Sequence, residues 1–145
     1  MSHLRQADMM AFADGQLLAA KARIETGKRV EPDLWLQING QVVILPPTVE
    51  DVVGAAMDFV RTLRPDMFTF IGEAWSVITD KLPENFEHED LSRRNDRIDV
   101  LAQFAKARNG NRLFRIWTID RVNRRIDEIP SDGETEFPSR LDVKW

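Results

Sequence analysis

Apolar residues near the start of the chain recur at helical spacing. Met10, Ala13, Leu17, Ala20 and Ile24 fall at alternating steps of three and four, which gathers them on one stripe of a helix over 3–26. Ser2 is placed to cap its start. Gly27 is placed to end it in the left-handed conformation that a residue without a Cβ reaches cheaply. Such a stripe either docks on the chain's own sheet or forms a short coiled-coil seam with a second copy, and two heptads leave both readings open.

The pattern then shifts to short β-rich runs. LWLQI and QVVIL flank Asn39-Gly40, a pair suited to the positive φ of a tight hairpin turn, and Pro46-Pro47 stops the second run. From Thr48 the helical period returns: Val49, Val52, Val53, Ala56, Phe59, Val60 and Leu63 share a face. Thr48 with Asp51 makes a variant capping box, Arg61 and Arg64 complement the negative end, and Pro65 ends the helix. Residues 67–79, MFTFIGEAWSVIT, alternate with period two. Phe68, Phe70, Ala74 and Ile78 share one face and Met67, Ile71, Trp75 and Val77 the other. Apolar residues on both faces predict a long central strand covered on both sides, and Gly72 within it marks a bulge or a close approach.

A second hairpin centres on Asn109-Gly110 in RIDVLAQFAKARNGNRLFRIWTIDR. A two-residue loop would set Asp99 opposite Asp120, an unfavourable like-charge pair. A three-residue loop with a glycine bulge pairs Phe104 with Phe114, Ala102 with Ile116, Leu101 with Trp117 and Gln103 with Arg115, and is preferred. Residues 124–129 add a short edge strand. The order predicts an α+β fold: an antiparallel sheet of about five strands, with one helix packed on a face and an N-terminal helix. The N-terminal helix occupies 1–27 as a docking or oligomerisation element. A single α+β domain occupies 28–145, with an irregular polar flap at 80–96 and a surface tail at 130–145, where Phe137 and Trp145 would serve as anchors.

Composition narrows the chemistry. A length of 145 residues with 43% hydrophobic and 30% charged residues fits one globular domain. With no cysteine, a disulfide framework, a zinc ribbon and a thiol nucleophile are excluded, and His3 and His88 are the two histidines. No run has the apolar length of a signal peptide core or a membrane span, so a cytoplasmic location without membrane association is the default expectation. A phosphate-binding glycine loop, a G-x-S-x-G elbow and an H-E-x-x-H helix are all missing from the sequence. No catalytic, cofactor or metal residue is therefore assigned.

Four candidate features remain. Glu73 beside Trp75 is a carboxylate among apolar neighbours, suited to general acid–base work with Asp99 as a possible companion; the plainer reading is that Glu73 faces solvent or pairs with an arginine such as Arg97 or Arg115, while Trp75 packs. His88, Glu89 and Asp90 with Glu84 and Glu87 offer metal-type ligands in the flap, although a solvated acidic loop needs nothing more. Residues 93–125 hold ten basic against three acidic residues, a net +7 that leaves −11 for the remainder. Arg108, Arg112 and Arg115 with Trp117 would suit a nucleic-acid backbone and a stacked base, unless the charge is neutralised internally. Finally, Trp35, Trp75 and Trp117 are placed to line the sheet face opposite the helix after Thr48, giving a second apolar surface that the N-terminal helix or another subunit must cover.

The leading expectation is a non-catalytic binding or assembly module, a homo-oligomer or a binder of a protein partner, with no cofactor. An arginine-rich hairpin for nucleic acid or an anionic ligand is the first alternative. An acid–base or metal-assisted hydrolase using Glu73 and Asp99 is the second.

Overall fold

The computed structural model describes residues 6–45, 52–76, 98–129 and 145. Two helices and six strands follow in the order α1 (Gln6–Glu25), β1 (Asp33–Ile38), β2 (Gln41–Leu45), α2 (Val52–Leu63), β3 (Met67–Ser76), β4 (Ile98–Ala107), β5 (Arg112–Asp120) and β6 (Arg125–Glu128). The strands form one sheet ordered β2-β1-β3-β4-β5-β6, with every neighbouring pair antiparallel. This is the α+β fold that the sequence pattern predicts, with one more strand than the five expected.

Turn chemistry fixes both hairpins. Asn39 and Gly40 take φ of 51° and 80°, the double left-handed geometry of the tight turn that joins β1 to β2. Gly110 at φ 99° completes a three-residue loop, closed by the bond from Ala107 N–H to the Asn111 carbonyl at 2.9 Å. The resulting register sets Leu101 opposite Trp117, Gln103 opposite Arg115 and Phe104 opposite Phe114, as the bulged loop predicts. The last two rings stack at 4.7 Å. Gly72 lies against Pro32, whose Cα would stand 3.5 Å from an added Cβ, so the expected close approach comes from the residue leading into β1.

A helix covers each face. On one side Ala56, Met57 and Val60 of α2 pack on Leu34, Leu36, Phe68 and Phe70. The buried stripe of α2 is rotated from the expected one: Met57 is inside, while Phe59 and Leu63 are exposed. Trp145 closes this core, tilted against Phe68 at 5.8 Å and donating Nε1–H to the Pro65 carbonyl at 2.6 Å. On the other side α1 lies along the sheet in two clusters. Met9 and Ala13 meet Met67, Ala105 and Ala107, and Ala20 and Ile24 meet Ile71, Leu101 and Trp117. Gly27 at φ 78° ends α1, with Lys28 N–H bonded to Arg23 O at 2.8 Å and Gly27 N–H to Ile24 O at 3.0 Å, the paired bonds of a Schellman motif.

The stripe of α1 also differs in detail from the expected one. Met9, Ala13, Gln16, Ala20 and Ile24 are buried, while Met10 and Leu17 are half-buried. Gln16 takes the central position because the sheet below it presents Thr69 and Gln103, which need polar partners. The start of the α2 helix as predicted, the flap at 80–96, the tail up to 144, and with them His88, Arg97 and Phe137, lie outside the described residues.

Candidate functional site

The centre of the α1-covered face is a polar network sealed by apolar residues. Gln103 on β4 donates Nε2–H toward the Ala13 carbonyl at 2.7 Å, Gln16 Oε1 at 3.2 Å and Thr69 Oγ1 at 3.2 Å. Thr69 donates its hydroxyl to Gln16 Oε1 at 2.8 Å, and Gln16 Nε2 reaches the carbonyls of Asp33 at 2.9 Å and Thr69 at 3.2 Å. Arg115 joins from β5, with Nη2 on Gln103 Oε1 at 2.6 Å and Nη1 on Asp14 Oδ1 at 2.8 Å; its guanidinium also lies 5.2 Å from the Trp117 ring centre. The buried amide and hydroxyl groups of this cluster are satisfied by one another and by backbone carbonyls, while Arg115 Nε is buried without a hydrogen-bond partner. The arrangement specifies how α1 sits on the sheet.

At the other end of the same face, Glu73 of β3 accepts from the Val30 N–H and from Arg121, whose guanidinium also lies 3.8 Å from Asp99. Glu73 and Asp99 are thus brought to one arginine, Arg121; of the partners expected from sequence, Arg115 bonds to Asp14 and Gln103 instead, and Arg97 lies outside the described residues. Both Glu73 oxygens are engaged, and its side chain is 13% exposed. Trp75 is described by its backbone, which pairs opposite Asp99. A cleft of about 220 Å³ lies nearby between α1 and residues 30–33, lined by Gln16, Arg23, Asp33 and Ile71 among others. Burial pushes the Asp33 carboxyl above its ordinary value, against the pull of the 2.7 Å hydrogen bond from Trp35 Nε1 and of Arg23.

The described part of the basic segment, residues 98–125, does not gather its arginines into one surface. Arg112 and Arg115 stand three apart on β5 and so point to opposite faces. Arg108 donates to the Arg64 carbonyl and lies 3.8 Å from Asp66, and Arg125 lies 3.8 Å from Asp120 and 3.4 Å from Asp127. Acidic residues from elsewhere, Asp14, Asp66 and Glu73, each pair with one of its arginines, Arg115, Arg108 and Arg121. No group of three or more metal-ligating side chains occurs among the described residues, and no described helix is long and apolar enough to cross a membrane.

Trp35 and Trp117 do share the α1 face. Trp117 packs under Ala20 and Ile24, while the Trp35 ring meets Phe12 at 6.2 Å and lies 3.8 Å from where a Cβ on Gly15 would be. What covers this face is α1, but its cover stops short of β2. Val42 and Ile44, which share the face with Trp35, are 52% and 53% exposed, and Leu18, one turn along α1 from Gly15, is 67% exposed. None of these three is singled out by a local sequence pattern. QVVIL is a charge-free strand, but its exposure follows from β3 taking the other side of β1, which leaves β2 at the edge of the sheet. Compared with known protein families, curated proteins and solved structures, the chain finds no match.

Proposed function

We propose that this chain is a non-catalytic assembly module that associates with a second copy of itself through the apolar surface beside β2. The observation that carries the reading is the pair Val42 and Ile44, half-exposed on a sheet face otherwise covered by α1. They extend the buried surface of Trp35 outward, and Leu18 supplies a further apolar side chain from the helix flank. Apolar side chains grouped at an edge in this way are the material of an interface. The polar groups support the same reading from the other side. Gln16, Thr69, Gln103 and Glu73 are occupied by internal partners, which suits a scaffold role, and no described observation favours the nucleic-acid or hydrolase alternative.

Light scattering on a sizing column tests this. The wild-type chain is expected to run at about twice its 16.7 kDa mass at high concentration. Ile44→Lys and Leu18→Lys are expected to shift it to the monomer without loss of helical or strand signal in circular dichroism. A wild-type chain that stays at the monomer mass at every concentration overturns the proposal.

A further inference from the structure

We infer that the second copy docks edge to edge, with β2 of one protomer antiparallel to β2 of its partner and Val43 on the two-fold axis. This rests on the self-association reading above and gives it a geometry. In a hairpin closed by a two-residue turn, the flanking residues Ile38 and Gln41 exchange both backbone bonds, and the pattern then alternates along the ladder. Val43 and Leu45 therefore bond inward to β1, whereas the N–H and C=O groups of Val42 and Ile44 point away from the sheet. No described residue bonds to them.

One register satisfies all four of these groups. Val42 stands opposite Ile44 of the partner subunit, Ile44 opposite Val42 of the partner subunit, and each pair exchanges two bonds. All five residues of β2 are then overlapped. Facing residues of an antiparallel pair project to the same side, so the exposed side chains of Val42 and Ile44 from both copies meet on the α1 face. Backbone and apolar requirements are met by a single contact.

The two edges of the sheet explain why the partner is a second β2. The outer strand β6, RIDE, is four residues long and presents Arg125, Asp127 and Glu128, all exposed, which are the usual guards against edge pairing. β2, QVVIL, has no charged residue, so pairing with itself sets no like charges opposite. The symmetric contact consumes both copies of the unguarded edge and closes, whereas pairing β2 with β6 would continue into a filament. A five-residue ladder is a small interface, below roughly 1,200 Å², so the association is concentration-dependent.

The absence of cysteine allows a direct test, because each single-cysteine variant carries one thiol. The inferred axis puts the two Val43 Cα atoms about 4.5 Å apart, inside the range of a disulfide. Oxidised Val43→Cys is expected to give a covalent dimer as its main product, while Val42→Cys and Ile44→Cys, each facing the other position, cross-link poorly alone and well when mixed. Ile44→Pro removes an outward N–H and leaves the bonds to β1 intact, so it is expected to weaken dimerisation at least about tenfold while retaining the fold. Efficient cross-linking of Val42→Cys and Ile44→Cys alone, with Val43→Cys left as thiol, overturns the edge geometry and leaves self-association standing as a face-to-face contact. An Ile44→Pro chain that folds and dimerises like the wild type overturns it as well. A monomeric wild type with no cross-linking at any position overturns both readings.

Discussion

Replacing Gln103 by leucine tests whether the buried amide cluster holds α1 to the sheet. The side chain is wholly buried and makes four polar contacts, three through Nε2 and one through Oε1. The contacts differ in what their loss leaves behind. Gln16 and Thr69 remain bonded to each other and to backbone carbonyls, so they are not orphaned. Arg115 loses the 2.6 Å acceptor of its Nη2 in a nearly buried position and keeps Asp14 alone. A lost bond to a charged group costs about 1.5–3 kcal/mol, and the lost neutral contacts bring the expected destabilisation to about 3 kcal/mol. Removing both partners leaves neither unpaired. The Gln103→Leu/Arg115→Leu double variant is therefore expected to lose at least ~1 kcal/mol less than the sum of the two single changes. Urea unfolding of the four proteins gives the cycle, and amide exchange should show faster opening in α1 than in α2. A single-variant loss under ~0.5 kcal/mol, or an additive cycle, would refute the role assigned to this cluster.

Gly15 sits inside α1 with ordinary contact distance to Trp35, so Gly15→Ala is expected to stabilise the chain by about 0.5–1 kcal/mol in the same assay. Gly40 at φ 80° has open space but a left-handed backbone, and Gly40→Ala should cost about 1 kcal/mol and lower the melting temperature. Asp33 titrates above its ordinary value of 3.8 because of burial, so the folded chain holds that proton more tightly than the unfolded chain does. Its contribution is most favourable below that value and is lost as pH rises through the folded-state value. Comparing the pH dependence of unfolding in the wild type and Asp33→Asn should show that falling slope in the wild type alone.

Much of the fold was legible because local chemistry agreed with it. Asn39-Gly40 and Asn109-Gly110 specify their turns by backbone conformation, and the like-charge clash of Asp99 with Asp120 selects the register of the second hairpin. Gly27 and Pro65 mark helix ends for equally local reasons. Burial was less legible where it depends on tertiary partners. Gln16 reads as a solvent-facing residue until Thr69 and Gln103 are known to lie beneath it, and the preference for apolar residues put Leu17 in the stripe instead. Phe59 and Leu63 fit the helical period of α2, yet the narrow contact with the sheet takes Met57 in their place. The candidate site was half visible. Asp99 could be named only as a possible companion of Glu73, because the group they both approach, Arg121, comes from the turn after β5. The exposed pair on β2 depended on strand order, which no short-range pattern encodes.

Amide hydrogen exchange along β2 reads the pairing of two copies at this edge residue by residue. Val42 and Ile44 carry N–H groups that face away from the sheet, while Val43 between them bonds inward and serves as the control in the same strand. Exchange at Val42 and Ile44 is expected to slow as protein concentration rises, with Val43 protected throughout. Exchange at Val42 and Ile44 that stays fast and independent of concentration would contradict the pairing.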